Sequence, residues 1–275
     1  MRAGGTPDQR ARGPIAWLLP AAALAALVVA GPAPAAPRKP LRLVAIGDSL
    51  PYGRSDCGNC ATFVDLFGRA LAQHTGRRVQ VWNLSEHTGI DSRDLRRQLA
   101  SSAGSRSQVA IADAITVTIG HNDPPWNSSY DPCDGKSGYP NANWSVYDES
   151  CLQRTAPVFE RNLDSILRSI RALRDGKPTL LRVTDDYDDL IGDSKFYATA
   201  ISLVRRFFDR YSAIACRLAH KYRGVCIDTY HAFNGPGGTR DAGRLLGPDH
   251  THPNAAGHRL IAHLLERAGY RPLGR

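Results

Sequence analysis

The stretch Leu41-Arg-Leu-Val-Ala-Ile-Gly-Asp-Ser49 decides the fold of this 275-residue chain. Residues 41–46 are apolar apart from one arginine and predict a β-strand, which Gly47 ends. Asp48 and Ser49 follow the strand directly. They therefore stand at its carboxyl end, where ligands bind in sheets made of parallel strands.

Apolar strands alternate with amphipathic helices along the rest of the chain. Further strands are predicted at Val79–Asn83, Ala114–Ile119, Thr179–Thr184 and Val225–Thr229, and helices near 63–71, 92–99, 152–173, 196–220 and 254–268. Such alternation needs crossover connections, and hence a parallel sheet with helices on both faces. No internal repeat or long linker divides the chain. We therefore expect a single α/β domain.

The N-terminus has the pattern of a secretory signal. Three arginines precede an apolar run over residues 15–29, and small residues follow at Ala33 and Ala35. We expect residues 1–35 to be a cleaved signal peptide and residues 36–275 to be the mature domain. A membrane anchor is the alternative, but the run is short for a span and contains a proline.

Composition excludes a polytopic membrane protein and an intrinsically disordered chain. The chain is 42% hydrophobic and 22% charged, with a net charge of +9. Its helical arginines recur at the spacing of solvated helix faces and are not gathered with aromatic residues, so we expect no nucleic-acid partner. Attraction to an anionic cell wall or membrane stays open. We expect a secreted monomer without stable membrane insertion after signal cleavage.

Six cysteines in an exported chain predict disulfides, and they allow fifteen pairings. Short separations favour Cys57–Cys60, Cys133–Cys151 and Cys216–Cys226. Cys57-Gly-Asn-Cys60 is also similar to a redox dithiol. It follows Ser49 in a loop and does not open a thioredoxin-type helix, so we interpret it as structural.

Residues suited to acyl transfer follow the predicted strands. A serine hydroxyl needs an imidazole to take its proton, and the imidazole needs a carboxylate to orient it. Ser49 is the candidate nucleophile, with His252 as base and Asp249, three residues before it, as the orienting group. The oxyanion needs fixed donors, and the candidates are the N–H groups of Ser49 and Gly89 and the Asn122 carboxamide.

These motifs together resemble those of the GDSL/SGNH hydrolases. The matching segments are Gly47-Asp48-Ser49-Leu50, Gly89 after the second strand, Gly120-His121-Asn122-Asp123, and Asp249-His250-Thr251-His252-Pro253-Asn254. They occur in family order across the whole mature chain. One departure is that Gly89 lies six residues after Asn83, where five is common. The resemblance implies a flavodoxin-like three-layer α/β/α sandwich with a five-stranded parallel sheet, and Ser49, Gly89, Asn122 and His252 as signature residues.

The resemblance implies a secreted serine esterase or lipase that forms an acyl-enzyme on Ser49. The expected substrate is a small-molecule or lipid ester, and no cofactor is needed. One alternative is a carbohydrate esterase that removes acetyl groups from polysaccharide. Another is a binding protein on the same fold, against which the intact set of signature residues argues.

Two other clusters admit further interpretations. Asp249, His250 and His252 could ligate a metal, but no third pair at helical spacing supports a zinc site, so we expect none. His250 is then an ordinary loop residue. The acidic run Asp185–Asp189 is interpreted as a solvated loop, with substrate contact or calcium binding as alternatives.

The long loop over residues 121–150 is unusually aromatic. It contains five aromatic residues, including two of the four tryptophans: Trp126, Tyr130, Tyr139, Trp144 and Tyr147. The rings either pack against the sheet edge or wall the substrate site. Because the loop starts at the oxyanion candidate Asn122, we expect Trp126 and Trp144 to bind substrate.

Overall fold

The computed structural model describes residues 13, 38–53, 57–128, 131–135, 142–193 and 200–274. The chain divides into two units, Met1–Pro37 and Arg38–Arg275. All the described residues except Gly13 belong to the second unit. The expected signal peptide therefore lies outside the described residues, apart from Gly13. In the described part, no helix is both long and apolar enough to cross a membrane.

Five parallel strands form the sheet of the described domain. They are β1 (Leu41–Gly47), β2 (Val79–Asn83), β3 (Ala114–Thr118), β4 (Leu180–Thr184) and β5 (Val225–Ile227). Their spatial order is β2-β1-β3-β4-β5. This is the flavodoxin-like order, which confirms the expected fold. Strands β3 and β4 are buried along their whole length, as expected for central strands of a parallel sheet that is covered on both faces.

Helices cover both faces of the sheet. They are α1 (Ser49–Tyr52), α2 (Phe63–Thr75), α3 (Ser92–Ser101), α4 (Ala103–Ile111), α5 (Glu149–Arg174), α6 (Ile201–Lys221), α7 (Thr229–Asn234) and α8 (Ala255–Arg267). One hydrophobic core lies between the sheet and α3 to α6, and the other lies between the sheet and α2, α7 and α8. The sequence does not predict α4, because only Ser105 and Val109 in it are buried and no apolar period results.

Gly47 fixes the point where the chain leaves β1. Its φ is +153°, and a Cβ atom there would lie 1.8 Å from the carbonyl oxygen of Thr118. Only glycine allows this approach. The next amide, Asp48 N–H, donates to the same oxygen at 3.1 Å. The residues before Ser49 are therefore locked against the end of β3.

Three disulfides join residues that are near each other in sequence. Cys57–Cys60 closes a short loop before α2, Cys133–Cys151 ties the long loop to the first turn of α5, and Cys216–Cys226 joins α6 to β5. These are the pairs that short separation favours. The longest closed loop is that of Cys133–Cys151, for which a contribution of about 3 kcal/mol to stability is typical.

Candidate active site

A cavity of about 370 Å³ opens where the carboxyl ends of the strands meet. It is lined by Ser49, His87, Gly89, His121, Asn122, Asn127, Asp189, Leu190, Asp193, Asp249, Thr251 and His252. All five residues expected to act as nucleophile, base, orienting group or oxyanion donor are in this lining. They come from segments that are far apart in sequence, so the fold brings them together.

The turn between β1 and α1 presents Ser49. Asp48 caps the helix, and its Oδ1 accepts the Leu50 N–H at 3.0 Å. Complete burial raises the pKa of Asp48 to about 7, and the nearby Asp186 carboxylate adds to this effect. Ser49 is the first helical residue and is only 8% exposed. The position of Ser49 is thus fixed by the helix cap Asp48 and by the turn at Gly47.

The loop before α8 holds the histidine–carboxylate pair. His252 Nδ1 lies 2.5 Å from Asp249 Oδ2, and Asp249 Oδ1 accepts the backbone N–H groups of Thr251 and His252, each at 3.1 Å. Partial burial acts the other way, yet these hydrogen bonds hold the pKa of Asp249 below its ordinary value. Asp249 is therefore a carboxylate at neutral pH, as an orienting group must be.

Gly89 and Asn122 lie on two loops that are bonded to each other. Asn122 Nδ2 donates to the carbonyl oxygen of Ile90 at 2.9 Å, which orients the amide next to the Gly89 loop. An amide NH₂ has two hydrogens, so this bond leaves one for another acceptor. Gly89 has a φ of +69°, a left-handed conformation that favours glycine. The loop after β2 therefore brings Gly89 to the cavity despite its longer spacing from Asn83.

His121, which follows β3, is connected through Asp189 to the loop that carries His252, a connection that sequence reasoning missed. Its Nδ1 lies 3.0 Å from Asp186 Oδ2, and its Nε2 lies 3.7 Å from Asp189 Oδ2. Asp189 Oδ2 also accepts the Thr251 hydroxyl at 2.9 Å. Burial opposes a charge on His121, but the two carboxylates outweigh it and raise the pKa of His121 to about 10. The carboxylates thus favour the charged form of His121, which lines the cavity.

The acidic run Asp185–Asp189 is not a solvated loop, which corrects the expectation. Asp185, Asp188 and Asp189 are all buried. Asp185 accepts the Thr229 N–H at 2.6 Å and the Ser212 hydroxyl at 2.5 Å, and Asp188 Oδ1 accepts the Leu190 N–H at 3.0 Å. These side chains are buried because they accept hydrogen bonds from backbone N–H groups and hydroxyls at the end of β4. A run of aspartates in the sequence does not indicate this role.

Trp126 lies in the core and Trp144 is partly buried against it, and neither is in the described cavity lining, which corrects their assignment to substrate binding. Trp126 is 1% exposed. Its ring contacts Trp144, Tyr147 and Phe207, with centroids 5.6, 5.4 and 5.0 Å away. The loop packs its rings against α6 because these large apolar surfaces gain more from burial than from exposure. The other two rings of the loop, Tyr130 and Tyr139, lie outside the described residues.

His87 is a second residue of the site that the sequence analysis did not find. Its ring stacks on His252 with centroids 5.3 Å apart, and it also contacts the ring of Tyr52, with centroids 5.2 Å apart. The only signal in the sequence is its place two residues before Gly89. His250, in contrast, turns to the Asp189 carbonyl oxygen, which lies 2.9 Å from its Nδ1.

Two groups of metal-ligating side chains converge in the described structure. One consists of Cys57, Cys60 and His258, and the other of Asp185, Cys216 and Cys226. In both groups the two cysteines are joined in a disulfide. Neither group belongs to the described cavity lining.

Comparison with known proteins identifies the family of this chain. A model of the GDSL-like lipase/acylhydrolase family matches residues 45–260. A search of curated proteins finds no significant match.

Several solved structures share the fold. The lipase Lip_vut3 from a goat rumen metagenome is 21% identical, with a TM-score of 0.66 over 85% of this chain and 99% of its own. A putative GDSL-like lipase from Parabacteroides merdae is 19% identical, with a TM-score of 0.57 over 85% and 97%. The acetylxylan esterase Axe2 from Geobacillus stearothermophilus is 20% identical, with a TM-score of 0.55 over 86% and 96%.

Proposed function

This chain belongs to the GDSL-like lipase/acylhydrolase family, whose members are carboxylic ester hydrolases, and we propose that it works through an acyl-enzyme on Ser49. The observation that carries the proposal is the convergence of Ser49, Asn122 and the bonded Asp249–His252 pair in one cavity. Three distant parts of the sequence supply these groups. A structural role for each would not require them to share a cavity.

The first half of the reaction forms the acyl-enzyme. Asp249 occupies Nδ1 of His252, so Nε2 takes the proton of Ser49 as its Oγ attacks the ester carbonyl carbon. The carbonyl oxygen becomes an oxyanion, which accepts hydrogen bonds from the Ser49 and Gly89 N–H groups and the Asn122 amide. The intermediate then breaks its bond to the alcohol oxygen, and His252 gives its proton to that oxygen.

The second half releases the acid. Water attacks the acyl carbon while His252 takes its proton, and collapse of the second tetrahedral intermediate returns a proton to Ser49. The sum is ester plus water giving acid plus alcohol. Ionised Asp249 stabilises the imidazolium of His252 in both halves, which agrees with its lowered pKa.

The cavity lining favours a short acyl group over the chain of a lipid. Among the described lining residues, Leu190 is the one aliphatic side chain. Each buried methylene is worth about 0.8 kcal/mol when it finds apolar surface. A long chain would find little apolar surface among these described residues. This polarity favours the second candidate, a carbohydrate esterase that removes acetyl groups, over a lipase.

Export is the remaining part of the proposal. The three disulfides support an oxidising compartment, and residues 1–35 have the pattern of a secretory signal. We further propose that the mature protein is a monomer. N-terminal sequencing of protein recovered from culture medium should begin at Ala36, and an intact Met1 would contradict the cleavage. Its mass by light scattering tests the monomer.

The experiment that tests the nucleophile uses a fluorophosphonate probe. The probe should label the parent protein and not Ser49→Ala, while the melting temperature stays within a few degrees because Ser49 lines the cavity and belongs to neither hydrophobic core. Ser85→Ala is a matched control, since Ser85 is a buried serine that does not line the cavity, and it should still be labelled. Labelling that persists in Ser49→Ala would refute the assignment.

A further inference from the structure

Three rings form a row from the catalytic base to the protein surface. His252 stacks on His87 with an interplanar angle of 19°, and His87 contacts Tyr52 with its ring tilted by 53°. Tyr52 is 47% exposed. It ends α1, the four-residue helix that Ser49 begins.

Hydrogen bonds of the backbone and of one side chain hold the segment that carries His87. Leu84 N–H donates to Ala45 O at 2.8 Å, and Glu86 N–H donates to Gly47 O at 3.1 Å. These bonds continue the pairing of β1 and β2 up to the residue before His87. Asn83 Nδ2 donates to Pro51 O at 2.7 Å and ties the same segment to α1. A preformed surface of this kind loses little entropy when it binds a ligand.

The proposed chemistry determines which part of the substrate meets this row. His252 must give its proton to the leaving alcohol oxygen, so the alcohol part lies beside His252. The acyl part lies towards the oxyanion donors, among which is Asn122. His87 and Tyr52 therefore flank the alcohol, a conclusion that rests on the proposed function.

The chemistry of the surroundings points to a cyclic, polyhydroxylated alcohol. Ring faces pack well against the C–H face of a sugar ring, and the cavity lining adds the carboxylates of Asp193 and Asp249 and the Thr251 hydroxyl as polar neighbours. A glyceride would need aliphatic walls instead. We propose that Tyr52 and His87 form an alcohol subsite for sugar esters, with the rest of a larger saccharide extending past exposed Tyr52 into solvent.

Three acetate esters with different alcohols test the subsite. The value of kcat/KM is measured for ethyl acetate, cyclohexyl acetate and a monoacetylated methyl pyranoside. The parent should prefer the pyranoside ester over both others. Tyr52→Ala and His87→Ala should each lower the ratio of pyranoside to ethyl acetate activity by about three- to tenfold, the effect expected for one aromatic contact. His87→Phe should keep the ratio, because it keeps the ring face.

Trp82→Ala is the matched control. Trp82 is an aromatic residue of β2 that is 43% exposed, about as much as Tyr52, but it does not belong to the row formed by His252, His87 and Tyr52, so its loss should leave the ratio unchanged. No preference for the pyranoside in the parent, or an unchanged ratio in both alanine variants, would overturn the subsite. If the parent is labelled at Ser49 and cleaves ethyl acetate, that failure concerns the subsite alone. A parent that is not labelled refutes the proposed function itself.

Discussion

At the residue scale, the two histidines of the last motif have different environments. His252 is bonded to Asp249 through Nδ1 and lines the cavity. His250 is bonded to the Asp189 carbonyl oxygen and has a left-handed φ of +59°. Of the two histidines in this stretch, one thus pairs with Asp249 at the cavity and the other holds the loop.

This difference predicts unequal effects of substitution. His252→Ala should lower kcat by at least about 10³-fold, because Ser49 loses its base. His250→Asn should lower kcat less than about tenfold, since asparagine tolerates the left-handed conformation better than most residues. Steady-state kinetics on a nitrophenyl acetate series compares the two. Equal losses would return the metal interpretation of Asp249, His250 and His252, which chelator treatment then tests.

At the element scale, the aromatic loop after β3 acts as a core element. Trp126 packs against α6 through Phe207 and against the loop's own Tyr147, whose hydroxyl donates to Asp131 Oδ2 at 2.7 Å. The disulfide Cys133–Cys151 closes the same loop onto α5. Packing against α6 and the disulfide to α5 thus hold the loop that carries Asn122.

Trp126→Ala should therefore lower stability and not alter substrate preference. The expected loss in the free energy of unfolding is about 3–5 kcal/mol, as for other large aromatic residues in cores. Urea denaturation followed by circular dichroism measures it. Trp82→Ala should change stability by less than about 0.5 kcal/mol because Trp82 is exposed. A changed acyl-chain profile in a Trp126→Ala protein of normal stability would contradict the packing role.

At the scale of the whole molecule, buried charge at the carboxyl edge of the sheet couples stability to pH. The raised folded-state pKa of His121, about 10 against an ordinary 6.5, means that its stabilising charge is fully present below pH 6.5. That contribution is lost as the pH rises towards 10. The buried carboxyl groups of Asp123 and Asp188 have pKa values raised to about 8. They also make the stability of the protein fall as the pH rises, but at lower pH than His121 does.

The melting temperature should therefore fall as the pH rises from about 8 to 9.5. This range lies above the pKa values of those carboxyl groups and below the ordinary pKa of tyrosine. His121→Asn should melt lower at pH 7, because Asp186 and Asp189 lose their counter-ion, and its melting temperature should change less over this range. His231→Asn is the control, since His231 forms an exposed pair with Asp228 and should keep the parent slope. Parallel slopes in all three proteins would contradict a charged His121.

The five strands and the five longest predicted helices, α2, α3, α5, α6 and α8, follow from the sequence alone, because hydrophobic period is a local property of each segment. The same is true of the motif residues Ser49, Asn122, Asp249 and His252, since their chemistry and their places after predicted strands are visible in the sequence. Short helices such as α4 were missed because they bury too few residues to show a period.

Only the tertiary structure decided which distant groups meet. His121 reaches Asp186 across 65 residues, His87 stacks on His252, and Trp126 packs on Phe207. A run of aspartates or a loop rich in aromatic rings has the same composition whether it is solvated or buried. Its environment depends on which elements the sheet order places beside it, and that is set by long-range packing that a one-dimensional pattern does not contain.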